Sequence, residues 1–274
     1  MLDLTDFTPD CSRCAGLCCT ALPFTASVDF PESKPAGTPC VNLQPDFRCV
    51  IHAELRPRGW RGCAVFECFG AGQQLTQHIF GGVTWRVDPA LASAMFGAFE
   101  SMRAIQEVRY YLRVLLEHPL PRKLLEQVTA LDATAESLAE ASGDTTASEP
   151  VESLRTQVGL LLDRASQHLR GQAPTPGTIP SRVRAHADLA GADLHGATLD
   201  HADLRGVLLI GADLQHATLH LTDLLGADLR DTRLHGADVR DALFVTQSQL
   251  NAAQGDASTT IPPHLRRPHH WEGD

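Results

Sequence analysis

A five-residue period runs through the C-terminal part of the chain and fixes what that part can fold into. From Ala187 the units read ADLAG, ADLHG, ATLDH, ADLRG, VLLIG, ADLQH, ATLHL, TDLLG, ADLRD, TRLHG, ADVRD and ALFVT. Position three is Leu189, Leu194, Leu199, Leu204, Leu209, Leu214, Leu219, Leu224, Leu229, Leu234, Val239 and Phe244. Position one is Ala or another small residue in nearly every unit, and Gly or Asp recurs at position five. A helix repeats every 3.6 residues and a strand every two, so neither presents these leucines on one face. A square coil does, with one unit per side and four per turn. Its third residues point inward and stack on their counterparts in the next coil. The small first residues let the walls close, and Asp, His and Arg face out. Coils sit roughly 4.8 Å apart, so twelve units make about three coils and a stack roughly 15 Å tall.

The segment resembles the pentapeptide-repeat family. The resemblance implies a right-handed quadrilateral β-helix over residues 182–246. His195, His216 and His235 occupy outward positions in it and read as solvent-facing residues. The following Thr246-Gln-Ser-Gln-Leu-Asn-Ala-Ala-Gln-Gly-Asp reads as a short helix closing at Gly255. Solenoids need such a cap over an exposed last coil. The rest of 247–274 reads as an extended strap, with His269, His270 and Trp271 on the surface.

The clue to chemistry lies at the other end. All eight cysteines fall between Cys11 and Cys68. They mark a module over residues 1–72, rich in Pro and Gly, that is too small to bury much core alone. A bound metal supplies stability to such a module. The N-terminus has neither a basic n-region nor an apolar h-region, and no apolar run reaches the roughly 18 to 20 residues of a membrane span. The expected location is therefore the cytoplasm. Reducing conditions there favour metal ligation over disulfides.

Cys11, Cys14, Cys18 and Cys19 form a C-x2-C-x3-C-C run, and Cys40, Cys49, Cys63 and Cys68 follow. A C-x2-C turn brings two thiolates within reach of one ion, and distant cysteines close the shell. Zinc takes four such ligands, and iron–sulfur clusters are also held by four thiolates. Eight cysteines allow one site with spares, two mononuclear sites or one polynuclear site. The adjacent Cys18 and Cys19 point to the last two, since neighbours rarely share one ion; alternatively one of them is a reactive or buried thiol. His52, in a Cys49-x-x-His52 spacing, is a further candidate ligand. The stretch Cys68-Phe-Gly-Ala-Gly-Gln73 lacks the spacing and the Lys of a phosphate loop. It reads as a tight exit from the module that brings backbone amides near the metal.

CSRCAGLCC followed by PCVNLQPDFRCVIHAELRPRGWRGCAVFEC is similar to the zinc- or iron-chelating family named after its CxxCxxxCC motif. The matching residues are Cys11, Cys14, Cys18, Cys19, Cys40, Leu43, Cys49, Ile51, His52, Arg56, Pro57, Cys63 and Cys68. RPRGWRGC departs from it, because a shorter Arg-Pro to Cys spacing is usual there. A related run occurs in flagellin lysine N-methylases, where it resembles an iron–sulfur site. This chain shows no methyl-donor site. The resemblance implies zinc or iron, or an iron–sulfur cluster, held by the cysteines.

Between the two ends, residues 73–170 read as α-helical. Ala92, Met95, Phe96, Phe99, Met102, Ile105, Val108 and Leu112 recur at helical spacing, Pro119 and Pro121 break the run, and Leu124 to Leu138 start a second helix. A flexible link is expected near 142–150, then a third helix over 151–169 with Leu154, Val158, Leu161, Leu162 and Ala165 on one face. A linker is expected over 171–181. The whole is a mixed, multidomain chain.

The formal net charge of −10 argues against direct nucleic-acid binding. No Ser–His–Asp arrangement or HExxH run is present, and no catalytic residue stands out. Three functions compete. The first is a metal-binding protein whose solenoid docks a protein partner. The second is a redox protein or enzyme with an iron or iron–sulfur centre in the cysteine module. The third is a DNA mimic that binds gyrase. Against the third, three coils imitate little duplex, and Arg205, Arg230, Arg233 and Arg240 interrupt the acidic faces. Oligomeric state is left open.

Overall fold

The computed structural model describes residues 4–142, 148–171 and 182–272. Much of the link expected near 142–150, and the linker expected over 171–181 but for its first residue, lie outside the described residues. The chain divides into two compact units, Met1–Leu162 and Asp163–Asp274. The division falls inside a helix, α6. No helix among the described residues is long and apolar enough to cross a membrane.

The first unit holds α1 (Leu17–Ala21), α2 (Arg61–Ala64), α3 (Ala71–Gln73), α4 (Ala92–Leu115) and α5 (Arg122–Ala141). A π-helical turn, Gln74–Ile79, continues α3. Helix α4 starts where the sequence signals it. A 3₁₀ turn, Pro89–Leu91, leads into it: Asp88 accepts the Ala90 amide at 3.0 Å, and Pro89 takes the turn's first position, where its missing N–H costs nothing. Pro121 then precedes α5. Met95, Phe99, Met102, Ile105, Val108 and Leu112 are buried, and Ala92 and Phe96 half-buried, so most of the predicted stripe is the core face of α4. Arg109 and Arg113 of α4 both reach Asp132 of α5, at 3.3 and 2.6 Å, and Arg109 also reaches Glu136 at 2.9 Å. Asp132 is buried, so losing either arginine would leave its charge undercompensated. Helix α4 packs against α5, α1 and α3, so the short helices beside the cysteines rest on a rigid element.

Helix α6 (Ser148–Arg170) buries Leu154, Val158, Leu161, Leu162 and Ala165, the predicted face. Its last turns belong to the second unit, and there a polar face is also buried. Ser166 is fully buried and donates to the carboxylate of Asp223. Arg170 pairs with Asp203 at 2.9 Å. Arg205 pairs with Asp163, with Asp203 at 2.9 Å and with Asp223 at 3.3 Å.

The repeats coil with twenty residues per turn. Parallel bridges link Asp188 to Leu208 and Leu208 to Asp228, and likewise Thr198 to Thr218 and Thr218 to Asp238. Third-position residues form the inner column, with Leu199, Leu204, Leu209, Leu214 and Leu219 fully buried. Each donates its amide to the next coil, as Leu189 does to Leu208 O at 2.8 Å. Position five explains the recurring Gly. From Gly191 to Gly236 it is left-handed throughout, with φ between 49° and 67° at Gly, His, Leu and Asp alike. Only Gly takes that conformation without cost. The corner in every unit leaves one bridging residue per side, so the ladders are isolated bridges where the β-helix reading anticipated walls of strand.

Position two carries a role that the outward-facing reading missed. Asp188, Asp193, Asp203, Asp213, Asp223, Asp228 and Asp238 each accept the backbone amide two residues on, at 2.9–3.3 Å. These are Asx turns that close the corners. Several of these aspartates also pair with the position-four arginine of their own unit, as Asp228 does with Arg230 at 2.6 Å and Asp238 with Arg240 at 2.9 Å.

A helix stands where the cap is expected, ending at Ala252 ahead of Gly255. Helix α7 (Gln247–Ala252) opens on a capping box between Thr246 and Gln249. The tail is no loose strap, because Gln254 and Thr260 continue the ladder onto Arg233 and Asp238. Trp271 is a correction to the surface reading. It is 2% exposed, donates Nε1–H to Ala253 O at 3.0 Å, and covers Gly255 so closely that a Cβ there would lie 2.7 Å from the ring. An indole with an apolar floor and a carbonyl for its N–H is a core residue. His269 and His270 are exposed, and the His270 ring meets the same Ala253 carbonyl at 2.8 Å.

Candidate metal centre

The first cysteines sit on a tight turn. Asp10 accepts the Ser12 amide at 2.9 Å, and the Cys14 amide donates to Cys11 O at 3.4 Å, so Cys11 and Cys14 flank a single 3₁₀ turn. Gly16, at φ 65°, then reverses the chain into α1, which carries Cys18 and Cys19. Their sulfurs stand 3.9 Å apart. All eight cysteines are free thiols.

The later cysteines return to this turn along two routes. The Cys40 amide donates to Cys19 O at 2.9 Å. Leu43 pairs antiparallel with Cys49, and the Val50 amide donates to Asn42 O at 2.9 Å, so Cys40 and Cys49 lie on one small hairpin. Cys40, Cys49 and Cys63 pack on a cluster formed by Ile51, Leu55 and Trp60. Phe24 and Phe30 stack at 4.6 Å beside Trp60. Cys68 takes the other route, into α3. Gly70 is left-handed, and a Cβ there would lie 1.9 Å from Asp6 O. Gly72 lies against Cys14, where a Cβ would come within 2.4 Å of the sulfur.

Backbone amides act on several of the thiols. Those of Gly16 and Leu17 draw the Cys14 thiol down, that of Asn42 draws Cys40 down, that of Ile51 Cys49, and those of Gly70 and Gly72 Cys68. Such interactions favour the thiolate over the thiol. Burial works the other way and dominates at most sites. It pushes Cys11 up to about 11, with Cys14 and then Cys19 adding to it. It pushes Cys63 up to about 12, helped by Cys19, Cys40 and Cys49, and Cys68 up to about 12, helped by Glu67 and Cys14. Cys19 is the exception. The Cys18 thiol donates to it and the Lys34 charge assists, so Cys19 is held below the usual thiol range while Cys18 is pushed well above it.

Lys34 was not legible as a site residue. It is buried, and its ammonium donates to Thr20 O at 3.1 Å, Pro35 O at 3.1 Å and Thr38 O at 2.9 Å. It is a fixed cation within electrostatic reach of Cys40, Cys19, Cys18 and Cys63. Glu67 was also missed; burial pushes its carboxyl up to about 7. No sequence pattern marks either residue. His52 is exposed, on the 3₁₀ turn His52–Glu54. In the solenoid, His195 and His216 are exposed with rings 5.4 Å apart, and His235 is half-buried.

The donor chemistry suits a thiophilic metal. The donors are all sulfur, Gly72 gives the Cys14 sulfur space that a Cβ would take, and the buried Thr20 hydroxyl beside Cys19 has no partner. As the side chains stand, no three His, Cys, Asp or Glu among the described residues surround a common point closely enough to hold an ion.

A family model of pentapeptide repeats matches residues 187–224 and 208–244. The chain is 45% identical over 267 residues to the protein YybG of Bacillus subtilis (strain 168), covering 97% of this chain and 95% of that protein. It is 33% identical over 88 residues to the UPF0153 protein YeiW of Escherichia coli (strain K12), covering 31% of this chain and 98% of that protein. Among solved structures, the pentapeptide repeat protein Rfr23 from the cyanobacterium Cyanothece 51142 is 30% identical, covering 28% of this chain and 54% of that one, with a TM-score of 0.20.

Proposed function

We propose, for a chain that belongs to the family of the Bacillus subtilis protein YybG, a metal-binding protein of the cytoplasm whose cysteine module holds zinc or iron and whose repeat solenoid docks a protein partner. The observation that carries the first half is the donor set. Eight free thiols lie in one small module, between Cys11 and Cys68. Thiols that give up their protons become the thiolates a thiophilic metal requires. A metal held there supplies cross-links to a module whose own apolar cluster is small, and it neutralises thiol charge that burial disfavours. A reducing compartment keeps the thiols available.

The solenoid is a rigid wall suited to docking. Its aspartates offer little to a DNA mimic. Those at position two are engaged in Asx turns, and Asp203, Asp213, Asp228 and Asp238 also pair with arginine.

Metal analysis and an absorption spectrum of anaerobically purified full-length protein test the metal reading. Bound zinc with no visible absorption, or bound iron with thiolate charge-transfer bands, supports it and identifies the metal. Protein that carries no metal, and whose thiols alkylate equally fast with and without added Zn²⁺, overturns it.

A further inference from the structure

We propose that the last two turns of α6 form a proton-operated latch on the solenoid wall of residues 202–206 and 222–226, closed when Asp223 carries a proton and loosened when it ionises. The latch is independent of the metal reading. All of its residues lie in the second compact unit.

The contact is built from opposed charges that do not cancel. Asp163, Ser166 and Arg170 are spaced three and four residues apart, so they share one face of α6. On the wall, Asp203 and Asp223 hold position two of successive coils and bridge each other directly. The stack ends on Leu243, which bridges Asp223 from the next coil and is fully buried. Asp193 and Asp213 form the same kind of pair on another wall. There the pair meets solvent, and Arg233 of the next coil stands 2.7 Å from Asp213.

Arg205 and Arg170 supply the positive charge. Arg205 donates to Asp203 at 3.1 and 2.9 Å, and through its remaining terminal nitrogen to Asp163. Arg170 donates to Asp203 at 2.9 Å and to the Ser166 hydroxyl at 3.0 Å. Asp163 and Asp203 each accept a guanidinium hydrogen bond. Among the described residues none reaches Asp223, because Arg205 Nε stands 3.3 Å from it but is directed at Asp203. The hydrogen-bond donors to Asp223 are the Ser166 hydroxyl and the Leu225 amide.

Three carboxylates therefore meet two guanidiniums, and one negative charge is left over while all are ionised. Asp223 and Ser166 are fully buried, so solvent screens that charge poorly. One proton removes the imbalance, and Asp223 is the acid without a guanidinium to lose. Burial pushes its carboxyl up to about 6 against Ser166, Leu225 and Arg205, with Asp203 adding to the rise. Undocking α6 returns Asp223 to water and to the ordinary value of about 4. Docking thus takes up a proton. It is tightest below about pH 4 and weakens by up to about tenfold per pH unit until the docked carboxyl has ionised. Loosening uncovers a wall of the solenoid that α6 otherwise occupies.

The test is hydrogen exchange by mass spectrometry on full-length protein from pH 4 to pH 7, corrected for the intrinsic pH dependence of amide exchange. Protection over residues 163–170 should fall by up to about a hundredfold between pH 4 and 6, at tenfold per unit. The amides of Leu199, Leu209 and Leu214 in the inner column should keep theirs. Asp223→Asn mimics the protonated acid and should hold the helix equally protected across the range. Asp213→Asn, on another wall, should keep the wild-type profile. Wild-type protein carries the readout by itself should Asp223→Asn fail to fold. Protection over 163–170 that is constant with pH, or that falls together with the inner column, overturns the latch. So does a pH dependence that persists in folded Asp223→Asn or that disappears in Asp213→Asn.

Discussion

Lys34 Nζ donates to the carbonyl oxygen of Thr20 across 3.1 Å, which fixes a buried positive charge one residue from Cys19. That charge is among the influences holding the Cys19 thiol down, after the hydrogen bond from Cys18. Lys34→Met keeps the apolar stem and removes the ammonium. Three carbonyls then lose a buried donor, at a cost of about 1–3 kcal/mol. The Cys19 thiolate becomes harder to form, so its alkylation midpoint should move to higher pH in the metal-free protein. Peptide-resolved labelling across pH measures this. A Cys19 profile identical to wild type would separate Lys34 from the thiol electrostatics.

Two glycines at equivalent solenoid corners separate backbone conformation from packing. Gly211 and Gly236 have φ of 65° and 67°. A Cβ at Gly211 meets nothing within 4 Å, whereas one at Gly236 would lie 2.5 Å from His216 Nδ1. Gly211→Ala should cost about 1–2 kcal/mol, the penalty of a left-handed alanine. Gly236→Ala should cost clearly more, because the imidazole beneath it must also shift. Urea unfolding of the two variants compares them directly. Equal losses would mean that His216 moves aside freely.

What the sequence made legible depends on how local the determining physics is. The inner column at Leu199, Leu204 and Leu209 is visible because its spacing is the fold. The breaks at Pro119 and Pro121 and the capping box at Thr246 are local signals of the same kind. The second role of Asp188 or Asp228 was readable in principle, since Asp two residues before a corner amide is an Asx-turn pattern. Ser166 and Trp271 were not, because each is buried by residues far along the chain, Asp223 in one case and Ala253 with Gly255 in the other. The cysteines show the limit most clearly. Their number and chemistry stand in the sequence, but their neighbours depend on which way α1 turns Cys18 and Cys19. Lys34 reads as an ordinary loop lysine until three carbonyls are folded around it.

Asp223 makes stability fall with rising pH. Burial pushes its carboxyl up to about 6, against the opposing hydroxyl of Ser166, the amide of Leu225 and the charge of Arg205; Asp203 adds to the rise. An acid whose folded pKa exceeds its unfolded one binds its proton more tightly when folded. Its contribution is therefore most favourable below about pH 4 and is lost between roughly pH 4 and 6, with a slope on the order of 1.4 kcal/mol per pH unit. Asp203, Asp213 and Asp228, held low by hydrogen bonds and arginines that outweigh their burial, act in the opposite sense at lower pH. Asp223→Asn removes one contribution only. Unfolding free energies at pH 4.5 and pH 7 should differ less favourably toward acid in the variant than in wild type. Identical pH dependence would show that Asp223 ionises freely in the folded protein.

Trp271 closes the last coil, and its removal should loosen that end alone. The indole covers Gly255 and bonds Ala253, which follows α7 directly, so it pins the segment from which Gln254 and Thr260 extend the ladder. Those two residues accept the amides of Leu234 and Val239, at 2.7 and 2.9 Å. Trp271→Ala leaves a cavity in the cap, at a cost of about 3–5 kcal/mol. The loss should be spatially graded, because each coil of a solenoid contacts only its neighbours. Hydrogen exchange should quicken at Leu234 and Val239, while Leu189 and Leu199, two coils away, keep their protection. Gly255→Ala approaches the same interface from the opposite side, by overpacking against the indole, and should give the same gradient. Uniform deprotection along the whole solenoid in both variants would mean that the repeats unfold as one cooperative block, with the cap as a condition for their folding and not only a cover for an open edge.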